Sequence, residues 1–176
     1  MQQATKQENI TSLSDLLKDY AAYNLWANKR LVDWLSTKPA SILDIEVLSS
    51  FPSIKQTLFH IWNVQEWWLG NLKGLQPESK YWQVFEGSAA EIFEGILEQS
   101  EEFAAYAQTM TESSLFENCL FSIPTVGEFT RQRFEIIQHA MNHSTYHRGQ
   151  IVTIGRNLGL TDAPMTDYMF YLLMAK

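Results

Sequence analysis

The sequence predicts an all-α four-helix bundle with a short extended or hairpin insert before the last long helix. Three observations support this prediction: four long stretches repeat apolar residues at intervals of three and four, helix breakers separate them, and one segment loses the helical period. The chain has 176 residues, of which 45% are hydrophobic and 19% are charged. A chain of this length and composition normally folds as one globular domain, which we place at residues 1–176.

The first two helices are predicted over residues 12–37 and 53–73. Ser12 or Ser14 is available as the N-cap of the first helix, because a serine hydroxyl can accept a hydrogen bond from the free amides of the first turn. Gly74 follows the second helix, as expected of a residue that ends a helix in a left-handed conformation.

The third and fourth long helices are predicted over residues 87–110 and 131–157. Ser88 and Glu91 have the spacing of a capping box, in which each side chain accepts a hydrogen bond from the backbone amide of the other. The last helix shows apolar residues at helical spacing along its whole length.

The segment 115–130 breaks the helical pattern and is predicted to be a short hairpin or an extended crossover. Apolar residues alternate before Pro124, and Gly127 follows three residues later, which is a turn signal between two extended runs. The tail, 165–176, is apolar enough to pack against the bundle as a short helix or strand.

Charge and cysteine content limit the partners and the compartment. The chain has 13 Lys and Arg against 20 Asp and Glu, a formal charge of −7, so we expect no nucleic-acid partner. No apolar stretch is long enough for a membrane span and the N-terminal residues are polar, so we expect no membrane association and a cytoplasmic location. The single cysteine, Cys119, fits a reducing compartment and is interpreted as a buried packing residue.

The four histidines are the most informative residues for function. His143 and His147 lie four residues apart on the last predicted helix, a spacing that stacks both imidazoles on one face and lets them bind one cation. His60 lies on the second predicted helix, from which a folded bundle can supply a third ligand. His139 continues the same face but stands about 12 Å along the axis from His147, so we do not expect it in the same ligand set.

The residues around this pair leave the chemistry open. No glutamate follows His143, which excludes the HExxH pattern of metalloproteases. A water activated here must therefore lose its proton to Glu66, to Tyr146 or to solvent, although Glu66 lies about 120° round the helix from His60 and reads better as a solvent-facing carboxylate. Arg148 is interpreted either as a surface ion-pair partner or as an anion clamp at the mouth of the site.

Three segments together resemble the DinB-like superfamily of metalloenzymes, named for a damage-inducible bacterial protein. The last-helix segment at 142–150 reads Asn-His-Ser-Thr-Tyr-His-Arg-Gly-Gln, and the first-helix segment at 23–31 reads Tyr-Asn-Leu-Trp-Ala-Asn-Lys-Arg-Leu. The second-helix segment at 58–61 reads Leu-Phe-His-Ile and is followed at 66–68 by Glu-Trp-Trp. The segments occur in the family's order and cover essentially the whole domain.

This resemblance implies a four-helix bundle that carries a divalent metal on His60, His143 and His147. Similar proteins include thiol-dependent isomerases and S-transferases that use mycothiol or bacillithiol, and they are commonly homodimers. Three neutral imidazoles leave at least one coordination position open, which is typical of catalytic sites. Imidazole ligands suit both Zn²⁺ and Ni²⁺, so either is expected.

We therefore expect a metal-dependent enzyme that acts on a small molecule by thiol transfer, with a low-molecular-weight thiol as cosubstrate, or by hydrolysis. A non-catalytic metal-binding helical bundle is the alternative.

Trp67 and Trp68 are the expected walls of a substrate cavity. Because an ordinary histidine has a pKa of about 6.5, metal affinity is expected to fall as the pH drops through about 6. The aromatic content of 13% also favours a homodimer.

Overall fold

A computed structural model describes residues 12–80 and 83–176 and shows a four-helix bundle with a small two-stranded sheet. The predicted fold class is confirmed. In chain order the elements are α1 (Leu13–Ser36), a 3-10 helix (Ala40–Asp44), α2 (Ile54–Leu72), α3 (Ala89–Gln108), α4 (Glu112–Leu115), β1 (Asn118–Ile123), β2 (Gly127–Gln132), α5 (Arg133–Asn157) and α6 (Tyr168–Met174).

The starts of the first three long helices lie within two residues of their predicted positions because local capping determines them. Ser12 caps α1 by accepting a hydrogen bond from the amide of Asp15, and Ser53 caps α2 in the same way. The capping box of Ser88 and Glu91 starts α3. The tail was predicted to form either a short helix or a strand, and it forms the helix α6.

Two local features differ from the sequence-based prediction. Residues 131 and 132, assigned to the last helix, belong instead to β2, where Arg131 pairs with Cys119 and Gln132 pairs with Asn118. Their backbone groups bond across the hairpin, so α5 begins only at Arg133. The short helix α4 was not predicted, since a single turn is too brief to show a periodic pattern.

The arrangement of the long helices brings the second and last helices together. α1 and α2 each pack against α3 and α5, which leaves α1 diagonally opposite α2. The 17-residue connection between α1 and α2 therefore crosses the bundle and includes the 3-10 helix. Because α2 and α5 are neighbours along much of their length, side chains on their facing surfaces can meet.

A polar layer divides the core of the bundle into two apolar halves. Below and above it lie two clusters of buried hydrophobic side chains, one around Leu17 and Phe103 and the other around Leu31 and Ile96. Each long helix contributes buried polar residues at this middle level, namely Asn24, Asn28, Gln65, Gln99, Ser100, Ser144 and Arg148. The three convergent histidines lie on the same levels of α2 and α5, so the candidate site adjoins this polar layer.

The C-terminal helix is tied to α1 through one buried carboxylate. Asp19 of α1 accepts hydrogen bonds from the hydroxyls of Tyr168 and Tyr171 and pairs with the ammonium group of Lys176. These contacts satisfy a charge that is costly to bury alone. Among the described residues, none of the helices combines the length and apolar character that crossing a membrane requires.

Candidate metal centre

Three histidine side chains meet where α2 faces α5. The Nε2 atom of His143 lies 3.1 Å from the Nε2 atom of His60 and 3.1 Å from that of His147. His143 and His147 are one helical turn apart on the same face of α5, and His60 projects from the neighbouring helix α2. Their ligating nitrogens all lie within 4.8 Å of one another, so the structure brings together the three residues that the spacing predicted.

The geometry of these nitrogens suits one divalent cation. Two nitrogens that each lie 2.0–2.1 Å from one zinc ion are about 2.9 Å apart at a right angle and about 3.3 Å apart at a tetrahedral angle. The two observed separations of 3.1 Å fall between these values. A proton on His143 Nε2 can satisfy only one of its two neighbours, whereas a cation in the centre would satisfy all three lone pairs. The donor set therefore fits a metal, and metal binding itself stays a prediction.

Gln150 determines which nitrogen of His147 is free to bind. The amide oxygen of Gln150 lies 2.6 Å from His147 Nδ1, and its amide nitrogen donates to the hydroxyls of Ser50 and Tyr146 at 3.1 and 3.2 Å. Because the amide oxygen can only accept, Nδ1 carries the proton and Nε2 keeps its lone pair for the cluster. The sequence interpretation missed Gln150, although its position three residues after His147 on one helix was a usable signal.

Phe51 covers the cluster on the side of the α1–α2 connection. Its ring stacks on His60 with centroids 4.1 Å apart and meets His147 edge-on at 5.6 Å. The aromatic ring therefore shields two of the three imidazoles from water. No local sequence signal could have identified Phe51, because it lies in an irregular segment before α2 and reaches the site only through the path of the backbone.

Burial keeps the three imidazoles neutral. Burial and the nearby His147 lower the pKa of His60 to about 4, and burial with the other histidines lowers the pKa of His143 to about 3. Burial also lowers the pKa of His147, against the opposing effect of its hydrogen bond to Gln150. Neutral imidazole is the form that binds metals, so the site is ready to bind a cation at neutral pH.

A cavity of about 400 Å³ opens onto His60 and His143. Its walls come from α2, from the turn of the β1–β2 hairpin and from the segment before residue 81. The two tryptophans expected as walls, Trp67 and Trp68, both line it. The remaining lining residues are Asn63, Val64, Ser79, Lys80, Ile123, Pro124, Thr125, Val126 and His139.

His139 lies outside the cluster. Its ring centroid is 5.8 Å from that of His143 and 5.2 Å from that of Trp68, which it meets edge-on. Among the described residues, the convergent group consists of His60, His143 and His147 without it. The side chain borders the cavity one helical turn away from the three nitrogens.

Both predicted placements of Arg148 are wrong. The side chain is 1% exposed and belongs to the polar layer, where it forms neither a surface ion pair nor a clamp at the mouth of the site. Its guanidinium donates to the side-chain oxygens of Asn24 at 2.6 Å and Asn28 at 2.9 Å, and also to Thr145 at 2.8 Å. Arg148 follows His147 in α5, so the two side chains project about 100° apart around the helix axis. Because His147 faces α2, Arg148 points toward α1 and the core.

The other candidate residues lie in different environments. Glu66 is exposed, pairs with Lys80 at 3.2 Å and is absent from the lining of the cavity. It is therefore a solvent-facing carboxylate, as the sequence indicated. Tyr146 is 62% exposed, and its ring lies 5.0 Å from the His147 ring. Cys119 is a buried packing residue whose thiol donates to the carbonyl of Asn71, and burial raises the pKa of that thiol.

Comparison with known proteins assigns the family. The family model described as the DinB family matches residues 1–176. The chain belongs to the DinB family. Protein DinB of Bacillus subtilis (strain 168) is 30% identical over 171 residues, which cover 93% of this chain and 98% of that protein.

Two solved structures share the fold. YfiT from Bacillus subtilis, described as a probable metal-dependent hydrolase with an unusual four-helix bundle topology, aligns with a TM-score of 0.66 at 14% identity over 90% of this chain and 95% of its own. A DinB-like protein from Bacillus cereus ATCC 10987 aligns with a TM-score of 0.64 at 22% identity over 82% of this chain and 91% of its own.

Proposed function

We propose that this protein is a metal-dependent enzyme that acts on a small molecule by hydrolysis or by thiol transfer. The observation that carries the proposal is the position of the three-histidine cluster beside a largely apolar cavity, which His60 and His143 line. A structural metal site is normally saturated by four protein ligands. Within the described part of the chain, the convergent group contains only His60, His143 and His147, which leaves a position for water or substrate.

The side chains around the cluster have separate tasks. Gln150 holds the His147 ring with its Nε2 atom toward the cluster, and Phe51 excludes water on the side away from the cavity. When bound, a divalent cation supplies Lewis acidity, which lowers the pKa of a water molecule or a thiol without a protein base. Trp67 and Trp68 keep the reacting groups in surroundings of low polarity, where electrostatic interactions are strong.

Hydrolysis and thiol transfer differ only in the nucleophile. Hydrolysis adds the elements of water across an acyl bond, whereas thiol transfer forms a carbon–sulfur bond and releases a leaving group and the thiol proton. YfiT, which shares the fold, is described as a probable metal-dependent hydrolase, and this supports the first reaction. The resemblance to thiol-using S-transferases supports the second, with a low-molecular-weight thiol as cosubstrate. Zn²⁺ and Ni²⁺ are the proposed metals, since imidazole suits both.

Elemental analysis followed by an activity screen tests the proposal. The purified protein should contain one divalent metal per chain, and His60→Ala, His143→Ala or His147→Ala should lower the metal content. His139→Ala is the matched control, because this histidine lies on the same helix face but outside the cluster. A His143→Ala variant that keeps its full metal content would remove the basis of the proposed function.

Turnover distinguishes an enzyme from the alternative, a non-catalytic metal-binding bundle. The metal-loaded protein should convert at least one member of a panel of substrates. The panel contains esters and amides for hydrolysis, and electrophiles that accept a thiol, which are supplied together with a low-molecular-weight thiol. Removal of the metal should abolish this activity, and adding the metal back should restore the activity. Full activity in a verified metal-free sample would reject the metal mechanism. Inactivity of the fully loaded protein across the whole panel would favour the non-catalytic bundle.

A further inference from the structure

The cavity beside the histidines is lined mainly by carbon. Both the tryptophan rings of α2 and the hairpin turn line it, and the apolar lining residues are Val64, Trp67, Trp68, Ile123, Pro124 and Val126. A volume of about 400 Å³ is within the range of small-ligand pockets. The cavity therefore offers an apolar surface of the size that one aromatic ring system or one short acyl chain can fill.

Polar groups at the edge of this cavity are already bound to the protein. The amide nitrogen of Asn63 donates to the backbone oxygen of Lys80 at 2.8 Å, and the indole nitrogen of Trp67 donates to the backbone oxygen of Pro77 at 3.1 Å. Apart from the histidines, Lys80 is the only side chain with an ionisable group in the described lining, and its ammonium pairs with Glu66 while both remain about half-exposed. No carboxylate lines the described part of the cavity, so a positively charged group inside it would lose its hydration without gaining an anionic partner.

The cavity also sets the direction from which a substrate reaches the cluster. His60 and His143 line the cavity, whereas Phe51, which stacks on His60, does not. His147 does not line the cavity and is bordered by Phe51 and Tyr146. When a reacting bond approaches His60 and His143 through this cavity, the adjoining part of the substrate therefore lies beside Trp68 and the hairpin turn.

We propose that this cavity binds an uncharged aromatic or acyl group of the substrate and discriminates against positively charged groups of the same shape. This inference rests on the proposed function, because it assigns a substrate class to the same site. The apolar group gains affinity from the area that it removes from water, while a charge of equal size keeps the cost of desolvation.

An isosteric pair of probes tests the discrimination. tert-Butylbenzene is neutral, and phenyltrimethylammonium has the same shape with one positive charge; neither can coordinate a metal. Binding to the metal-loaded protein is followed by ligand-observed proton NMR. The neutral probe should bind about tenfold or more tightly than the cation, as expected when a charge is desolvated without a partner.

Two matched variants locate the binding. Val126 lies in the cavity wall and is 65% exposed, whereas Val84 is 71% exposed and lies outside the cavity, so an aspartate is tolerated by the fold at either position. Val126→Asp should weaken tert-butylbenzene binding about tenfold, the scale for altering one contact in a hydrophobic pocket. It should also strengthen binding of the cation, while Val84→Asp should change neither.

The inference is wrong if the cation binds as tightly as the neutral probe, if neither probe binds, or if the two aspartate variants behave alike. Turnover assays on the same samples separate this result from the proposed function. Turnover without probe binding would overturn the substrate class alone, whereas probe binding without turnover of any substrate would overturn the enzymatic function alone.

Discussion

At the scale of single residues, the candidate site depends on side chains that are not themselves candidate ligands. The amide oxygen of Gln150 accepts a hydrogen bond from His147 Nδ1, and its amide nitrogen donates to the hydroxyls of Ser50 and Tyr146. Such partners raise the basicity of a ligating imidazole and keep its ring in place. Phe51 acts differently, because its ring removes water from His60 without any polar contact.

Replacement of Gln150 should weaken metal binding although Gln150 is not a ligand. Gln150→Leu should raise the zinc dissociation constant about 10–100-fold, the usual effect of losing a partner of this kind. Gln150→Glu keeps an acceptor and should preserve the affinity. A competition titration with a chromophoric chelator measures both. Gln138→Leu, at an exposed position of the same helix, is the control, and an unchanged affinity in Gln150→Leu would contradict the assigned role.

The histidine pKa values predict acid sensitivity of the metal-free protein. In the unfolded chain these imidazoles take up protons below about pH 6.5, but in the folded state His60 and His143 do so only near pH 4 and pH 3. The unfolded state therefore binds more protons between these limits, so the free energy of unfolding should fall as the pH drops from 6.5 toward 4. Urea unfolding at pH 7 and pH 5 measures this loss.

A His143→Asn variant provides the control, because it removes a group whose pKa is lowered to about 3 in the folded state and should show a smaller pH dependence. Equal stability of the metal-free wild type at pH 7 and pH 5 would contradict the prediction. The same pKa values place the loss of metal affinity below the pH of about 6 that ordinary histidines suggest, since protons compete for these nitrogens only at lower pH.

At the scale of secondary-structure elements, polar contacts fix how neighbouring helices meet. Arg148 of α5 reaches across to Asn24 and Asn28 of α1. Asn24 in turn donates to Gln65 of α2, and Asn28 donates to Ser100 of α3. The polar layer thus links all four long helices at one level, next to the histidines.

Loss of Arg148 should destabilise the fold more than it affects substrate binding. Arg148→Leu removes a buried charge but leaves the side-chain oxygens of Asn24 and Asn28 without donors, and each unsatisfied buried group costs about 1–3 kcal/mol. We expect a net loss of about 2–4 kcal/mol in urea unfolding. Arg156→Leu, at an exposed position of α5, should cost less than about 1 kcal/mol. Equal losses for the two variants would contradict the role of Arg148.

The hairpin turn at the cavity wall contains a strained residue. Thr125 has a φ of 66°, which a β-branched side chain rarely adopts, and it follows Pro124 in a turn closed by the bond from Val126 N to Ile123 O. Thr125→Asn should raise the stability by about 1 kcal/mol, because asparagine tolerates this conformation. Thr130→Asn, on β2, should lower it, since asparagine is disfavoured in strands. Thermal unfolding compares the two, and a lower melting temperature for Thr125→Asn would show that the threonine is not strained.

At the scale of the whole molecule, the surface retains apolar side chains after the core is filled. On α6, Met169 and Leu173 are spaced by one turn and remain exposed, and Leu48 is fully exposed in the α1–α2 connection. Exposed apolar groups of this kind often mark contacts between subunits. The cytoplasmic location expected from composition stays a prediction, as does the absence of a nucleic-acid partner.

The protein should form a homodimer. The aromatic content, the exposed apolar residues of α6 and the resemblance to a commonly dimeric family support this expectation. Light scattering at micromolar concentration should report about twice the monomer mass of 20.3 kDa. A mass near 20.3 kDa across a tenfold concentration range would show that the protein is a monomer.

The sequence by itself determined the long helices, the hairpin and the pair of histidines on the last helix, whereas the meeting of His60 with that pair, 83 residues away, depends on how α2 packs against α5. Helix ends follow from local caps such as Ser12 and Ser88, and the pair His143 and His147 follows from a four-residue spacing on one helix. These features depend on residues close together in the chain, so a linear pattern is enough to predict them.

Only the tertiary structure decided which residues surround the cluster and which lie in the core. Phe51 contacts His60 because the α1–α2 connection crosses the bundle, and the hairpin turn forms a cavity wall because it lies beside α2. Arg148 is buried because the Asn pair of α1 offers its guanidinium acceptors 120 and 124 residues away in the chain. Contacts across such distances depend on how helices pack around one another, and no local pattern of charge or periodicity encodes that packing.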